Sequence, residues 1–247
     1  MIGLIGSGNM ARALALGWDE PVLCTDALHE RAEALAEATG GEALQGNGAL
    51  ADRAEIVVLC HKPAQLREVA EQVGGRAKAV VSILGATPLA DVRDAYGDTP
   101  VVRMLPSTPV EVREGVIAHA RDPRADRDLE ARAKELFGRV GRVVTLEDKQ
   151  IDVAMGLMSS APAYMALVAE AQIDAGVRFG VPADVAAEMV VQTMAGTARL
   201  LQHRDHDTLA VRREVTSPGG STAKGLAALE RHGVRTAFDA AMEALQS

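Results

Sequence analysis

The chain has 247 residues and a formal net charge of −8, with no Lys/Arg-rich run, so a nucleic-acid surface is not expected. Apolar residues make up 48% and aromatics only 2%, so the core must be built from Ala, Val, Leu, Ile and Met. No segment reads as apolar for long enough to span a membrane, and Met1-Ile2-Gly3 enters a strand pattern with no basic leader, which predicts a cytoplasmic protein without a signal peptide.

Met1–Ile5 is predicted as a buried strand, followed by Gly6-Ser7-Gly8-Asn9-Met10-Ala11 and an Ala/Leu-rich helix to about Trp18. This is the G-x-G-x-x-G/A fingerprint of a dinucleotide-binding turn, with its strand before and its helix after. Gly6 serves the tight turn, Gly8 lets a pyrophosphate approach the backbone, and Ala11 lets the helix lie close to the strand. Val22–Thr25 is a second strand ending at Asp26, about twenty residues past Gly6, where a carboxylate accepts the ribose hydroxyls of NAD and repels the 2′-phosphate of NADP. The alternative is that Asp26 only caps a helix over Ala27–Thr39. Asn47 lies in a polar Gly-Asn-Gly turn.

Ile56–Cys60 is another strand, ending in His61-Lys62-Pro63-Ala64-Gln65, and Lys62 there faces the ligand crevice of a parallel sheet. Cys24 and Cys60 lie in apolar strand-like runs without metal-ligand partners, as expected of reduced core thiols, and no metal site is expected. Ala79–Leu84, Val101–Leu105, Gly115–Ala120 and Arg142–Leu146 complete the strands, with an amphipathic helix near Ala125–Phe137. The alternation predicts an α/β Rossmann domain over 1–146, doubly wound with a mainly parallel sheet.

From 147 to 247 the pattern is helical, over Asp148–Leu157, Tyr164–Phe179, Ala183–Gln202, Thr208–Val215, Thr222–Arg231 and Thr236–Leu245. The run 186–195 is apolar on more than one face, and a lone helical unit of this size buries such a helix poorly. This predicts an all-α dimerisation domain. Between two of these helices lies Val215-Thr216-Ser217-Pro218-Gly219-Gly220-Ser221-Thr222. Pro218 stops the preceding run, the glycines turn the chain, and Ser221 or Thr222 is placed to N-cap the next helix. The result is either a well-capped turn or a seat for a small carboxylate on free N–H groups.

Read together, these motifs resemble the pyrroline-5-carboxylate reductase family over nearly the whole chain. Its carriers are the Gly6–Ala11 turn, His61–Gln65, Arg103-Met104-Leu105-Pro106-Ser107-Thr108-Pro109, Ala161-Pro162-Ala163-Tyr164, Asp174-Ala175-Gly176-Val177, Gln192-Thr193 and, most specific, the 215–222 block with Gly225-Leu226 and Leu229-Glu230. The resemblance implies reduction of the cyclic imine 1-pyrroline-5-carboxylate to L-proline with NADH or NADPH, a step of proline biosynthesis. It also implies an interlocked homodimer whose dimers assemble further into a decamer. The dinucleotide contacts it implies are Gly6, Ser7, Gly8, Asn9, Met10, Asp26, Asn47, Cys60, His61, Lys62, Pro63, Gly85 and Ser107. The substrate contacts are Gly219, Gly220, Ser221, Thr222 and Ser160, with Thr222 as the catalytic residue.

The chain departs from the family pattern at three loops. It has Ser107 where members read Asn, Ser159-Ser160-Ala161 where they read Gly-Ser-Gly, and Leu84-Gly85-Ala86 where they read Ala-Ala-Gly. These departures bear on the substrate, so a reductase of a related cyclic imine and a catalytically idle dinucleotide-binding dimer are the alternatives. A β-hydroxyacid dehydrogenase would need a Lys on the first long helix of the second domain, and none lies between Ile151 and Phe179.

Overall fold

A computed structural model describes residues 1–246. The chain divides into two compact units, residues 1–162 and residues 163–247.

The first unit is built on an eight-stranded sheet. Its strands are β1 (Ile2–Ile5), β2 (Leu23–Thr25), β3 (Glu42–Ala43), β4 (Ile56–Leu59), β5 (Val80–Ser82), β6 (Val101–Pro106), β7 (Gly115–Arg121) and β8 (Gly141–Glu147). The order is β3-β2-β1-β4-β5-β6-β7-β8, and every pair is parallel except β6 with β7. This is the expected doubly wound sheet. Its order reverses between β1 and β4, where ligand crevices form in such folds.

The central strands β1, β4 and β5 are short, rich in Ile and Val, and buried on both faces, as a parallel sheet requires. One face carries a core of Leu4, Leu14, Trp18, Val58, Val81, Met104 and Phe137, among others. Trp18 meets Phe137 edge to face at 5.5 Å and donates its indole N–H to the Leu136 carbonyl. The opposite face packs Ile5, Leu50, Leu59, Leu66, Val69, Leu89 and Ile151.

The helices of this unit are α1 (Asn9–Trp18), α2 (His29–Thr39), α3 (Asn47–Arg53), α4 (Leu66–Val73), α5 (Leu89–Tyr96), α6 (Arg127–Gly138) and α7 (Asp148–Met158). Three of these, α3, α4 and α5, add to the expected elements. Asn47, expected in a turn, begins α3 instead. Packing decides this: Leu50 and Ala51 are buried, and Leu50 fills the space above Gly3, where a Cβ would fall 2.5 Å from its Cδ2.

The second unit contains most of α8 (Ala161–Arg178), then α9 (Ala183–His203), α10 (Thr208–Glu214), α11 (Ser221–Arg231) and α12 (Val234–Gln246). Pro162 sits in the first turn of α8, where a missing N–H costs nothing. One expectation is corrected here. Within the 31-residue stretch Asp148–Arg178 an 18-residue window has a mean hydropathy of 1.4, long and apolar enough by length and composition to cross a membrane. Its Ala, Val, Leu and Met run on past the Ser159-Ser160 break, so apolar character accumulates over two successive helices.

Candidate active site

The parallel strands bring their carboxyl ends to one edge of the sheet, and that edge collects nearly all the expected dinucleotide contacts. Gly6 follows β1, Asp26 follows β2, Cys60 and His61 follow β4, Gly85 follows β5, and Ser107 follows β6. Asn47 follows the edge strand β3.

The turn after β1 is shaped for close approach. Gly6 has φ +98, and a Cβ there would fall 2.8 Å from the Cys60 carbonyl carbon, so only glycine fits. Gly8 is the N-cap of α1 without a side-chain cap, and a Cβ there would meet nothing within 4 Å. The first intrahelical bond runs from Arg12 N–H to Gly8 O. The N–H groups of Asn9, Met10 and Ala11 therefore have no partner inside the helix and point where an anion is favoured. A dinucleotide pyrophosphate fits this open, donor-lined turn.

Ser7 is buried and looks inward. Its hydroxyl donates to the Thr25 carbonyl at 3.2 Å, and its N–H donates to Asp26 Oδ2 at 2.7 Å. The other Asp26 oxygen accepts from Leu28 N–H at 2.9 Å. Asp26 therefore does not cap α2, whose N-cap is Leu28. It bridges the ends of β1 and β2 and holds a carboxylate at the place that meets an adenosine ribose in this fold.

Beside it the Thr25 hydroxyl donates to Asn47 Oδ1 at 2.6 Å, Asn47 Nδ2 donates to Gln72 Oε1 at 2.6 Å, and Gln72 Nε2 donates to Glu68 Oε1 at 3.2 Å. This chain orients Asn47 from α4. Gln72 and Glu68 were not visible as site residues in the sequence, because only the fold brings α4 beside α3.

After β4, Cys60 N–H donates to the Ile5 carbonyl at 2.8 Å, and burial pushes its thiol pKa well up, so it is no thiolate nucleophile. The other cysteine, Cys24, is buried, free and likewise raised by burial. His61 Nδ1 lies 2.9 Å from the Lys62 carbonyl oxygen, while its Nε2 is buried and unpartnered. Burial pushes the His61 pKa below its ordinary value, with the Lys62 carbonyl and Glu68 opposing. Lys62 and Pro63 are exposed, and Lys62 N–H donates to Gln65 Oε1.

Gly85 lies beside α7, where a Cβ would fall 3.4 Å from Met155 Cε. Ser107 is buried, and its hydroxyl accepts from Val116 N–H at 2.9 Å. It closes the connection between β6 and β7. Ser159 N–H and Ser160 N–H both donate to Met155 O at 2.9 Å and end α7, with Ser159 Oγ buried and unpartnered.

Arg103, marked in the sequence only as part of a motif, is the largest polar side chain in the core. From β6 it donates to Asp148 at 2.8 Å and Asp152 at 2.7 Å, both on α7. Asp148 also accepts from Leu89 N–H at 3.0 Å. A buried guanidinium with two carboxylates fixes α7, and hence Met155 and the Ser159-Ser160 turn, on the sheet.

In the second unit the expected carboxylate seat is local to one turn. Gly219 has φ +72, and Gly220 N–H donates to Ser217 O at 3.1 Å. The expected capping by Ser221 or Thr222 does not occur: Gly220 is the N-cap of α11, with no side-chain cap bond. The helix begins one residue earlier than a Ser221 or Thr222 cap would need. Ser217 Oγ lies over Gly220 in the place where a Cβ would sit, so any other residue at the cap position must displace the Ser217 hydroxyl. Ser221 and Thr222 become the first two helical residues, both exposed. The first helical bond runs from Lys224 N–H to Gly220 O at 3.2 Å. Ser221, Thr222 and Ala223 thus keep unused N–H groups beside two hydroxyls, and no Arg lies between Glu214 and Leu226. Among the described residues no group of three His, Cys, Asp or Glu is placed to hold a metal ion.

The model of the pyrroline-5-carboxylate reductase dimerisation domain matches residues 148–247, which include the apolar stretch of α7 and α8, and that of NADP oxidoreductase, coenzyme F420-dependent, matches residues 1–85. The pyrroline-5-carboxylate reductase of Synechocystis sp. is 32% identical, over 98% of this chain and 94% of that one. The solved pyrroline carboxylate reductase of Plasmodium falciparum with NADP bound superposes with a TM-score of 0.88 at 25% identity, over 99% of this chain and 94% of that one. That of Coxiella burnetii superposes with a TM-score of 0.86 at 29% identity, over 99% and 95%.

Proposed function

The chain belongs to the pyrroline-5-carboxylate reductase family, and from that premise we propose that it is the NAD(P)H-dependent oxidoreductase that reduces 1-pyrroline-5-carboxylate to L-proline. When bound, the dinucleotide supplies the hydride. The chain's part is to bind and orient. The α1 N-terminus at Gly8 takes the pyrophosphate, and Asp26 takes the adenosine ribose. The free N–H groups of Ser221–Ala223 take the substrate carboxylate, with the Thr222 hydroxyl donating to it or passing a proton to the imine nitrogen. A protonated imine is already a strong electrophile, so holding the acceptor carbon in attack geometry is the main requirement.

The observation that carries this reading is the α11 N-terminus. It is capped by a glycine with no side-chain acceptor, so its donors remain available to an anion beside exposed hydroxyls. Ser160 and Ser107 enter the proposal through the backbone turns they hold. The active form is a homodimer joined through the helical region. Further assembly of dimers into a decamer, and a cytoplasmic location, are extensions of the same proposal.

The test is a turnover assay with 1-pyrroline-5-carboxylate and each cofactor. Reduction is expected with both, and kcat/KM is expected to be higher with NADH, because the Asp26 carboxylate repels a 2′-phosphate. The nearest cation along the chain, Arg31, lies in the next helical turn. A tenfold preference corresponds to about 1.4 kcal/mol. Tenfold better turnover with NADPH overturns the Asp26 assignment alone. Dinucleotide binding without any imine reduction overturns the activity.

A further inference from the structure

The turn after β5 is strained and lies on the carboxyl edge of the sheet. Ala86 has φ +49, a left-handed conformation that a residue with a Cβ disfavours. Its neighbours are fixed. Leu84 and Thr87 are buried, and the Thr87 hydroxyl donates to the Gly85 carbonyl at 3.0 Å. Pro88 occupies the N-cap of α5 and makes no side-chain cap bond. A backbone in such a state persists only where its surroundings over-determine it.

A side chain from far along the chain supplies that hold. Leu89 is buried and opens α5, so its N–H is one of the donors that a helix start leaves without an internal partner. Asp148 Oδ2 accepts from it at 3.0 Å, across 59 residues. The other oxygen, Oδ1, accepts from Arg103 Nη1 at 2.8 Å. Asp148 is thus a remote N-cap for α5, with each oxygen committed to a different element. Asp152 shares the clamp, taking the second Arg103 nitrogen at 2.7 Å, and has no bond to the turn among the described residues. The position of the turn gives this cap its meaning. β5 neighbours β4 and β4 neighbours β1, all parallel, so the turn after β5 and the phosphate turn after β1 share one edge. Asp26 follows β2, on the other side of β1. A dinucleotide whose ribose meets Asp26 and whose pyrophosphate meets α1 therefore extends its reacting end toward β4 and β5.

We propose that Asp148 is a positioning residue of the reductase site: by capping α5 from α7, it holds the strained Gly85-Ala86 turn in place beside the reacting end of the dinucleotide. The inference rests on the reductase reading and adds to it a residue that touches neither ligand. Hydride transfer depends on attack geometry, so a turn displaced by about 1 Å lowers turnover. Affinity is set by the phosphate turn and Asp26, and it stays.

The test compares two variants of one clamp. Asp148→Ala and Asp152→Ala each take a partner from Arg103, and both should unfold at lower urea. Only Asp148→Ala also frees the turn. With 1-pyrroline-5-carboxylate, its kcat should fall roughly tenfold or more, and at least about fivefold further than that of Asp152→Ala. The NAD⁺ dissociation constant should stay within about twofold in both. Amide hydrogen exchange reads the bond itself. In the free native protein Leu89 should exchange far more slowly than Asn9, the first residue of α1, whose N–H has no partner inside the helix. Asp148→Ala should speed the exchange of Leu89 and Ala86, and Asp152→Ala should not. Equal kcat in the two variants overturns the inference, as does a native Leu89 amide that exchanges as fast as Asn9. A loss of NAD⁺ affinity as large as the loss of kcat also overturns it, since the turn is then a binding element. If Asp148→Ala does not fold, Asp148→Glu, which keeps the charge but moves the acceptor, carries the same comparison. The reading of the reaction fails separately, when the native chain binds NAD⁺ but reduces no imine, and the exchange rates then still decide whether Asp148 holds the turn.

Discussion

The two compact units differ in how they are closed. Residues 1–162 bury a core on each face of the sheet, while beyond Met158 the only buried apolar side chains among the described residues are Ala186 and Val211. In the second unit Phe179 is 92% exposed, Met189 62% and Leu167 63%. A parallel sheet flanked by helices covers its own apolar surface. A set of helices apolar on several sides does not, and exposed apolar area of this extent marks an interaction surface. The match of 148–247 to a dimerisation domain identifies the cover as a second copy. The lesson is a division of labour: the turn proposed for the nucleotide is shaped within a self-sufficient unit, and the seat proposed for the carboxylate is carried by a unit whose apolar faces need a partner copy.

The largest effect is expected from attacking that dependence. Val185 and Met189 stand one turn apart on α9, both exposed in the protomer. Val185→Glu with Met189→Glu places two unpaired carboxylates in an apolar interface, at several kcal/mol, and should raise the dimer dissociation constant at least about a hundredfold. Sedimentation at micromolar concentration reads it. A native chain that sediments as a compact monomer would remove the comparison's premise.

Next comes the buried clamp of the first unit. Arg103→Met leaves Asp148 and Asp152 without their cation. Both carboxylates are partly exposed and can rehydrate, which puts the loss at about 2–4 kcal/mol, toward the low end for a broken buried pair. Urea unfolding measures it. A cost below about 1 kcal/mol, the range of surface pairs, would mean that α7 is held by apolar packing alone.

The second unit's seat is tested by Thr222→Ala. Removing one hydrogen bond to a charged group costs about 1.5–3 kcal/mol, so kcat/KM should fall roughly ten- to a hundredfold while dinucleotide affinity stays unchanged. Thr222→Ser should keep most of the rate. Equal loss of cofactor binding would make Thr222 a structural residue of the α11 start.

The smallest effect concerns pH and the first unit alone. His119 on β7 is buried, 3.2 Å from Thr145 Oγ1 and 3.5 Å from Glu130, which Lys134 also pairs. Burial pushes its pKa down to about 4, Lys134 adds to this, and Glu130 opposes. Between pH 6.5 and 4 the unfolded chain binds a proton that the folded chain refuses. The stability from neutral His119 is therefore fully present above pH 6.5 and is lost as pH falls toward 4. Between pH 7 and pH 5 the loss should be about 1–2 kcal/mol. His119→Gln should flatten that slope in urea melts, and an unchanged slope would show that another group sets it.

What the sequence determined by itself was whatever follows from local pattern. The Gly6-Ser7-Gly8 turn between strand and helix, the alternation that makes a parallel sheet, the many-sided apolar helices and the Gly219-Gly220 turn are all set by residues close in the chain. Backbone freedom and hydrophobic period act over a few residues. Tertiary structure decided what depends on neighbours distant in sequence. Gly46-Asn47-Gly48 reads as a turn, yet the packing of Leu50 over Gly3 makes it the start of a helix. Ser221 and Thr222 read as caps, yet the helix starts at Ser221 with Gly220 as its cap, which leaves both hydroxyls out of capping. Arg103 reads as one motif residue among several, and only the approach of α7 to β6 shows it to be a buried clamp. His61 stands in the sequence only as a motif residue, and only the fold sets its Nδ1 beside the Lys62 carbonyl and buries its Nε2 without a partner. Burial and hydrogen-bond partnership are properties of the assembled fold, and they settle which side-chain atoms stay available for chemistry.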